Sequence, residues 1–276
     1  MIYHVERFEA LGSTNDYLKQ IAESGAPEGT VVIAEEQTAG KGRLGRSWDS
    51  PEGGAWFSVL LKPPIPVEQA GWVSLLIAVS LARALRERWG VPVGVKWPND
   101  LYVMRPNPLA PFPAGEGGSS PPGVGEGTGE RFAKLGGILI ELSSQAQKIE
   151  WLVAGIGVNV NNEPPKETRV PATSLARELG RTLSLEEFLD AVLDAIAHDY
   201  ERFLAEGPEF VRRQWERFSI LGEHVTVCSP PGEGLEGEGS SYEADVLGLS
   251  ESGKLIVRVG GRVRELSSEE VTLCLP

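Results

Sequence analysis

The stretch AGKGRLGRSW, residues 39–48, forces a choice between fold classes. It follows TVVIAEEQ, a run rich in β-branched residues that reads as a strand, and its Gly40, Gly42 and Gly45 make the pattern G-x-G-x-x-G. A dinucleotide-binding loop of that form needs a helix opening within it and a carboxylate roughly 20 residues on for the ribose. Here RSWDSPEGGAWFSVLL follows, which holds too many helix breakers, and Lys62-Pro63-Pro64 stands where the carboxylate belongs. A P-loop fails as well, because Lys41 is followed by neither Ser nor Thr and no glycine lies five residues before Gly40.

What remains is a glycine-hinged loop carrying Lys41, Arg43 and Arg46 in a chain of formal net charge −13. Three neighbouring cations repel unless an anion offsets them. One reading is a solvated arginine loop. The sharper one is a loop that orders over a polyanion such as ATP, with arginine supplying a bidentate fork to phosphate or carboxylate. The acidic balance argues against a general nucleic-acid surface. No apolar run reaches the roughly 18 residues of a membrane span, and MIYHVERFEA lacks the pattern of a signal peptide, so a cytoplasmic protein that binds no membrane is expected. Cys228 and Cys274 suggest neither a metal site nor a disulfide and read as small apolar residues, and His4, His198 and His224 show no ligand spacing.

Along the chain, Ser13 and Asp16 stand in a capping relation ahead of a helix that ends near Gly25. AWFSVLLK reads as a strand, Val67 to Trp89 as a helix stopped by Gly90, and VGVKWPNDLYV as strand, tight turn, strand. The segment 106–129 is dominated by Gly, Pro, Ser and Glu and predicts a mobile surface loop. FAKLGGILIELSS and KIEWLVAGIGVNVN predict a hairpin. Thr173 to Gly180, Ser184 to Glu206 and PEFVRRQWERFS predict helices, the second opening on the capping box Ser184-x-x-Glu187. Beyond Leu221 come short strands separated by Gly-containing turns, the texture of a small β-barrel. The expected division is residues 1–220 and 221–276.

Three further stretches place chemistry on strands and turns: Lys96-Trp97-Pro98-Asn99-Asp100, Lys134-Leu135-Gly136-Gly137, and Gly155-Ile156-Gly157-Val158-Asn159. In order and spacing these, with Ser13-Thr14-Asn15 and Gln37 to Trp48, resemble the motifs of the bacterial biotin protein ligases, the biotin–[acetyl-CoA carboxylase] ligase family, over about residues 13–161. The resemblance implies an α+β fold: a catalytic domain like that of class II aminoacyl-tRNA synthetases, with a mixed, largely antiparallel sheet flanked by helices, then a small SH3-like β domain. It implies that biotin and ATP form biotinyl-5′-AMP, and that biotin then passes to one lysine of a biotin carboxyl carrier protein.

The same resemblance assigns Lys134, Arg43 and Asp100 to catalysis. Ser13, Thr14, Asn15, Gln37, Gly40, Lys41, Gly42, Arg43, Lys134 and Gly137 fall to biotin, and Arg43, Arg46, Trp48, Asn99, Lys134 and Asn159 to ATP. Asp100 is the candidate for magnesium carried by ATP, or for orienting the incoming amine; no tightly bound, protein-ligated metal is expected. The chain starts at the catalytic domain, so no DNA binding is expected, and a homodimer through a sheet edge near the arginine loop stays open. Two other activities stand beside this one, a lipoate or octanoate protein ligase of the same superfamily and a non-catalytic biotin sensor.

Overall fold

The computed structural model describes residues 1–105, 132–165, 170–228, 241–267 and 272–274. Its N-terminal part alternates strand and helix: β1 (His4–Leu11), α1 (Thr14–Glu23), β2 (Thr30–Gln37), β3 (Ala55–Leu61), α2 (Gly71–Trp89), β4 (Val93–Lys96) and β5 (Asp100–Met104). A long hairpin follows, β6 (Phe132–Gln145) and β7 (Lys148–Val158), then α3 (Leu175–Leu179), α4 (Leu185–Glu206) and α5 (Pro208–Phe218). The segment 106–129, expected to be a mobile loop, lies outside the described residues.

These strands form one seven-stranded sheet in the order β1-β2-β3-β7-β6-β5-β4. Only β1 and β2 run parallel; every other pair is antiparallel. All seven residues of β3 are buried, because helices cover both faces of the sheet centre. On one face Leu18 and Ala22 of α1 meet Val32, Leu60 and Val153. On the other, α2 packs with α4 and α5 over Val31, Phe57, Val59 and Leu61. α2 is buried nearly all round from Trp72 to Ala82, as a helix sandwiched between a sheet and other helices must be. Gly90 ends it at φ 69°, in the left-handed region where glycine costs least.

Five strands complete the chain: β8 (His224–Cys228), β9 (Ser241–Leu249), β10 (Leu255–Val259), β11 (Arg262–Leu266) and β12 (Thr272–Cys274). They pair antiparallel in the order β11-β10-β9-β8-β12. Their turn 250–254 docks on the first sheet's helices and turns. Trp72 Nε1 donates to the Glu251 carbonyl at 2.8 Å, Trp97 Nε1 donates to the Gly253 carbonyl at 3.1 Å, and Arg212 donates to the Leu249 and Ser250 carbonyls.

Two sequence expectations need correction, and one strand escaped the sequence reading. β1 reads as no particular element by pattern, since nearly all its residues are exposed on an edge, yet it pairs with β2 from His4↔Thr30 to Leu11↔Gln37. Ser13 makes no capping bond; the orphan N–H of Thr14 is capped at 2.9 Å by Gln37 Oε1 from β2, and Asp16 turns to lysines instead. Cys228 is disulfide-bonded rather than a lone apolar thiol. Sequence distance hid that β12, which carries the chain's other cysteine, is the strand beside β8.

Candidate active site

The N-terminus of α1, the C-terminal ends of β2 and β7, the start of β6 and the β4–β5 turn all open on one edge of the sheet. The loop 38–50 folds across them. Together they enclose a cavity of about 510 Å³, within the range of ligand pockets. Every residue given a biotin, ATP or catalytic role from the sequence lines it except Gly40: Ser13, Thr14, Asn15, Gln37, Lys41, Gly42, Arg43, Arg46, Trp48, Asn99, Asp100, Lys134, Gly137 and Asn159. Gly40 sits just behind, where a Cβ would lie 2.3 Å from the Trp48 carbonyl, so this glycine serves close approach and not hinge motion.

One end of the cavity is neutral and polar. Gln37 Oε1 accepts from Thr14 N at 2.9 Å and from Thr14 Oγ1 at 3.1 Å. Its Nε2 donates to Ser50 Oγ at 2.9 Å, and Ser50 Oγ donates to the Trp48 carbonyl at 3.2 Å. Beneath them the fully buried Ser58 Oγ lies 2.8 Å from Thr14 Oγ1 and 2.6 Å from Asn15 Oδ1. Asn15 Nδ2 donates to Glu141 Oε2 at 2.8 Å, and Lys19 Nζ reaches Glu141 Oε1 at 2.5 Å. Ser58 and Glu141 were not found from the sequence; both sit in ordinary strand text, and only the folded neighbourhood of Asn15 exposes them.

The other end is cationic. Lys41, Arg43, Arg46, Lys96 and Lys134 line the cavity against the carboxylates of Asp49 and Asp100. In a chain of net charge −13 this inverts the local sign, which suits a polyanionic ligand. Lys134 Nζ lies 2.8 Å from Asp100 Oδ1 and 5.2 Å above the Trp48 ring. Arg43 Nη1 donates to Asn99 Oδ1 at 3.0 Å, and Asn99 Nδ2 donates to the Ile138 carbonyl at 2.7 Å, so Asn99 ties the arginine loop to β6. Asn162 Nδ2 occupies Asn159 Oδ1 at 2.9 Å, leaving Asn159 its amide donors. Burial and the nearby Asp100 charge push the Tyr102 phenol well above its ordinary range, and the Lys96 ammonium sits 5.5 Å over its ring.

The loop itself is pinned at several points. Trp48 N donates to the Gly40 carbonyl at 2.9 Å, Gly42 N donates to the Arg46 carbonyl at 2.7 Å, and a short 3₁₀ turn spans Arg43–Gly45, with Gly45 at φ 69°. Lys41 Nζ holds Asp16 at 2.6 Å. Burial opposes the charge on Asp16, but hydrogen bonds from Lys41 and Lys19 together keep its carboxyl below the usual carboxylate range. For Lys19, burial again opposes the charge and the hydrogen bonds to Glu141 and Asp16 prevail, raising its ammonium above the ordinary value.

Two glycines on β7 set the cavity floor. A Cβ on Gly155 would lie 2.2 Å from Asn15 Oδ1, and one on Gly157 would lie 2.7 Å from Trp48 Nε1. Neither position leaves room for a side chain. Among the described residues, no three His, Cys, Asp or Glu side chains gather as a metal site, and no helix is long and apolar enough to cross a membrane.

Comparison with known proteins bears on this geometry. The model of the biotin/lipoate A/B protein ligase family matches residues 8–159, which hold every residue singled out above. The bifunctional ligase/repressor BirA of Bacillus subtilis is 27% identical over 99% of this chain and 74% of its own. The biotin–[acetyl-CoA-carboxylase] ligase of Mycobacterium tuberculosis is 28% identical over 94% of this chain and 85% of its own. The biotin protein ligase of Aquifex aeolicus, solved in complex with biotin and ATP, superposes with a TM-score of 0.74 at 29% identity, covering 99% of both chains.

Proposed function

We propose, from the premise that the chain belongs to the biotin/lipoate A/B protein ligase family, that it joins biotin to AMP at the expense of ATP and passes the biotinyl group to a lysine of a biotin carboxyl carrier protein. The observation that carries this reading is the two-ended cavity, with a neutral hydrogen-bonding chain at one end and five cationic side chains at the other. Biotin offers a cyclic urea, which needs placed donors and acceptors, and a carboxylate, which needs positive charge. Ser13, Thr14 and Gln37 take the urea, with the backbone of Gly40, Lys41 and Gly42 closing that side. Asn15, whose amide is already committed to Ser58 and Glu141, holds the set in place.

In the first step a biotin carboxylate oxygen attacks the α-phosphorus of ATP, the bond to the bridging oxygen breaks, and pyrophosphate leaves. Two anions must meet, so fixed positive charge at the meeting point lowers the barrier. Lys134 and Arg43 serve that point, next to Gly137, where a Cβ would lie 3.1 Å from Asp100 Oδ1. Arg46 takes phosphate, Trp48 takes the adenine face and Asn159 offers amide donors to the nucleotide, while Asn99 orients Arg43. Magnesium would arrive with the phosphates, since the nearest candidate carboxylate, Asp100, is bound to Lys134; it would neutralise charge on the leaving pyrophosphate. In the second step the carrier lysine attacks the acyl carbon, the amide forms and AMP departs. Asp100 is placed to accept a hydrogen bond from that amine once Lys134 turns to the ligand.

We assign residues 1–220 to a catalytic domain of the class II aminoacyl-tRNA synthetase type and residues 221–276 to an SH3-like domain. The antiparallel five-stranded sheet supports the latter. The test is incubation with labelled biotin, ATP, magnesium and a biotin carrier domain. ATP-dependent label on the carrier lysine is expected; labelling by lipoate or octanoate but not by biotin would move the chain to the other branch of its family, and biotin binding without adenylate would make it a sensor.

A further inference from the structure

The polar end of the cavity is a single hydrogen-bonded chain with the Glu141 carboxylate at its inner terminus. Glu141 of β6 is a carboxylate and can only accept. Asn15, buried against Gly155, must therefore turn its NH₂ to Glu141 Oε2, 2.8 Å away, and its Oδ1 to Ser58. An amide oxygen can only accept, so the single Ser58 proton goes to Asn15 Oδ1 at 2.6 Å. Thr14 Oγ1 is the second acceptor within reach of that hydroxyl, at 2.8 Å. The Thr14 proton goes to Gln37 Oε1 at 3.1 Å, inside the protein. What Thr14 has left for the cavity is an acceptor. Gln37, its oxygen filled by Thr14 N and Oγ1 and one amide proton spent on Ser50, keeps one donor.

We infer that Glu141 is a positioning residue: it orients Asn15 and, through it, Ser58 beneath Thr14, and so holds in place the Thr14 acceptor and the Gln37 donor that a cyclic urea with two N–H groups and one carbonyl requires. This rests on the assignment of the biotin ring to this end of the cavity. A buried polar set of fixed polarity rejects a ligand that leaves its groups unpaired far more strongly than an apolar pocket rejects a surplus methylene. Remove the carboxylate and the Asn15 amide keeps only its longer bond to the Leu139 carbonyl at 3.4 Å, so the support beneath Ser58 and Thr14 loosens.

Glu141 also pairs with Lys19, so a purely structural ion pair is the rival account. Lys19→Met removes the ion pair and keeps the carboxylate beside Asn15; Glu141→Leu removes both; Glu141→Gln keeps an acceptor for Asn15. The experiment titrates biotin alone into each protein by calorimetry, measures the KM for biotin and for ATP in pyrophosphate release, and records Tm. The expected result is at least tenfold weaker biotin binding and a matching rise in biotin KM for Glu141→Leu, with ATP KM within about twofold, and values within about threefold of the parent for Lys19→Met and Glu141→Gln. Equal losses in Lys19→Met and Glu141→Leu would overturn the inference in favour of the ion pair. Unchanged biotin binding in Glu141→Leu would overturn it outright while the proposed function stood. A parent protein that bound no biotin would overturn both.

Discussion

Gly155 and Gly157 lie two residues apart on β7 and point the same way, yet they floor different chemistries. Over Gly155 stands Asn15, a neutral amide whose oxygen and NH₂ are both matched within the protein. Over Gly157 stands the Trp48 indole, with Lys134 above its ring and its own Nε1 buried with no hydrogen-bond partner among the described residues. A buried donor without a partner costs about 1–3 kcal/mol, so this end is unfinished where the other is complete. The contrast shows how one cavity prepares for two ligands. On the proposed function, the end assigned to a neutral ring has its polar groups matched in advance, and the end assigned to phosphates holds its cations on polar groups of the protein, Lys134 on Asp100 and Arg43 on Asn99.

The largest effect that tests this contrast is expected at Lys134. Lys134→Ala removes the cation shared by both ends, and pyrophosphate release should fall about 10²–10³-fold in kcat, as for loss of one transition-state donor; a change only in biotin KM would place Lys134 wholly at the neutral end. Trp48→Ala should follow, raising ATP KM roughly tenfold and leaving biotin affinity in the absence of ATP within about twofold; steady-state kinetics with calorimetry checks both.

The smallest effect concerns the link between the ends, the Lys41–Asp16 pair, which joins the loop to α1. The Asp16 carboxyl is held below its ordinary range, so whatever stability the pair adds is complete above the unfolded carboxylate pKa of about 3.9 and is lost as pH falls through the lowered folded value. Both side chains are nearly half exposed and the pair is screened, so the effect is modest. Acid-protease cleavage within residues 40–48 should rise as pH drops below about 4, and Asp16→Asn should show raised cleavage already at neutral pH with a neutral protease. Equal cleavage of parent and variant at neutral pH would release the loop from α1.

Much of the site was legible because its chemistry is local in sequence. The failed dinucleotide pattern, the cations at Lys41, Arg43 and Arg46, the K-W-P-N-D turn and the glycines of β7 each carry their meaning within a few residues, and the fold brings them to one sheet edge. What stayed hidden depends on pairings across the chain. β1 has no buried face to impose an alternating pattern. Ser13 looks like a helix cap because the rule sees only its own neighbours, whereas the cap comes from Gln37, 23 residues from Thr14. Glu141 lies 126 residues from Asn15, and in the text of β6 it is one more polar residue on a strand.

The central claim is that the cavity has two independently floored ends, and the paired variants Gly155→Ala and Gly157→Ala test it most directly. Each added methyl meets a different side chain first, at 2.2 Å from Asn15 Oδ1 or 2.7 Å from Trp48 Nε1. The quantity to measure is the ratio of biotin KM to ATP KM in pyrophosphate release. Gly155→Ala should raise that ratio about tenfold or more and Gly157→Ala should lower it by a similar factor. A shift of the ratio in the same direction for both variants, or no shift in either, would contradict the account.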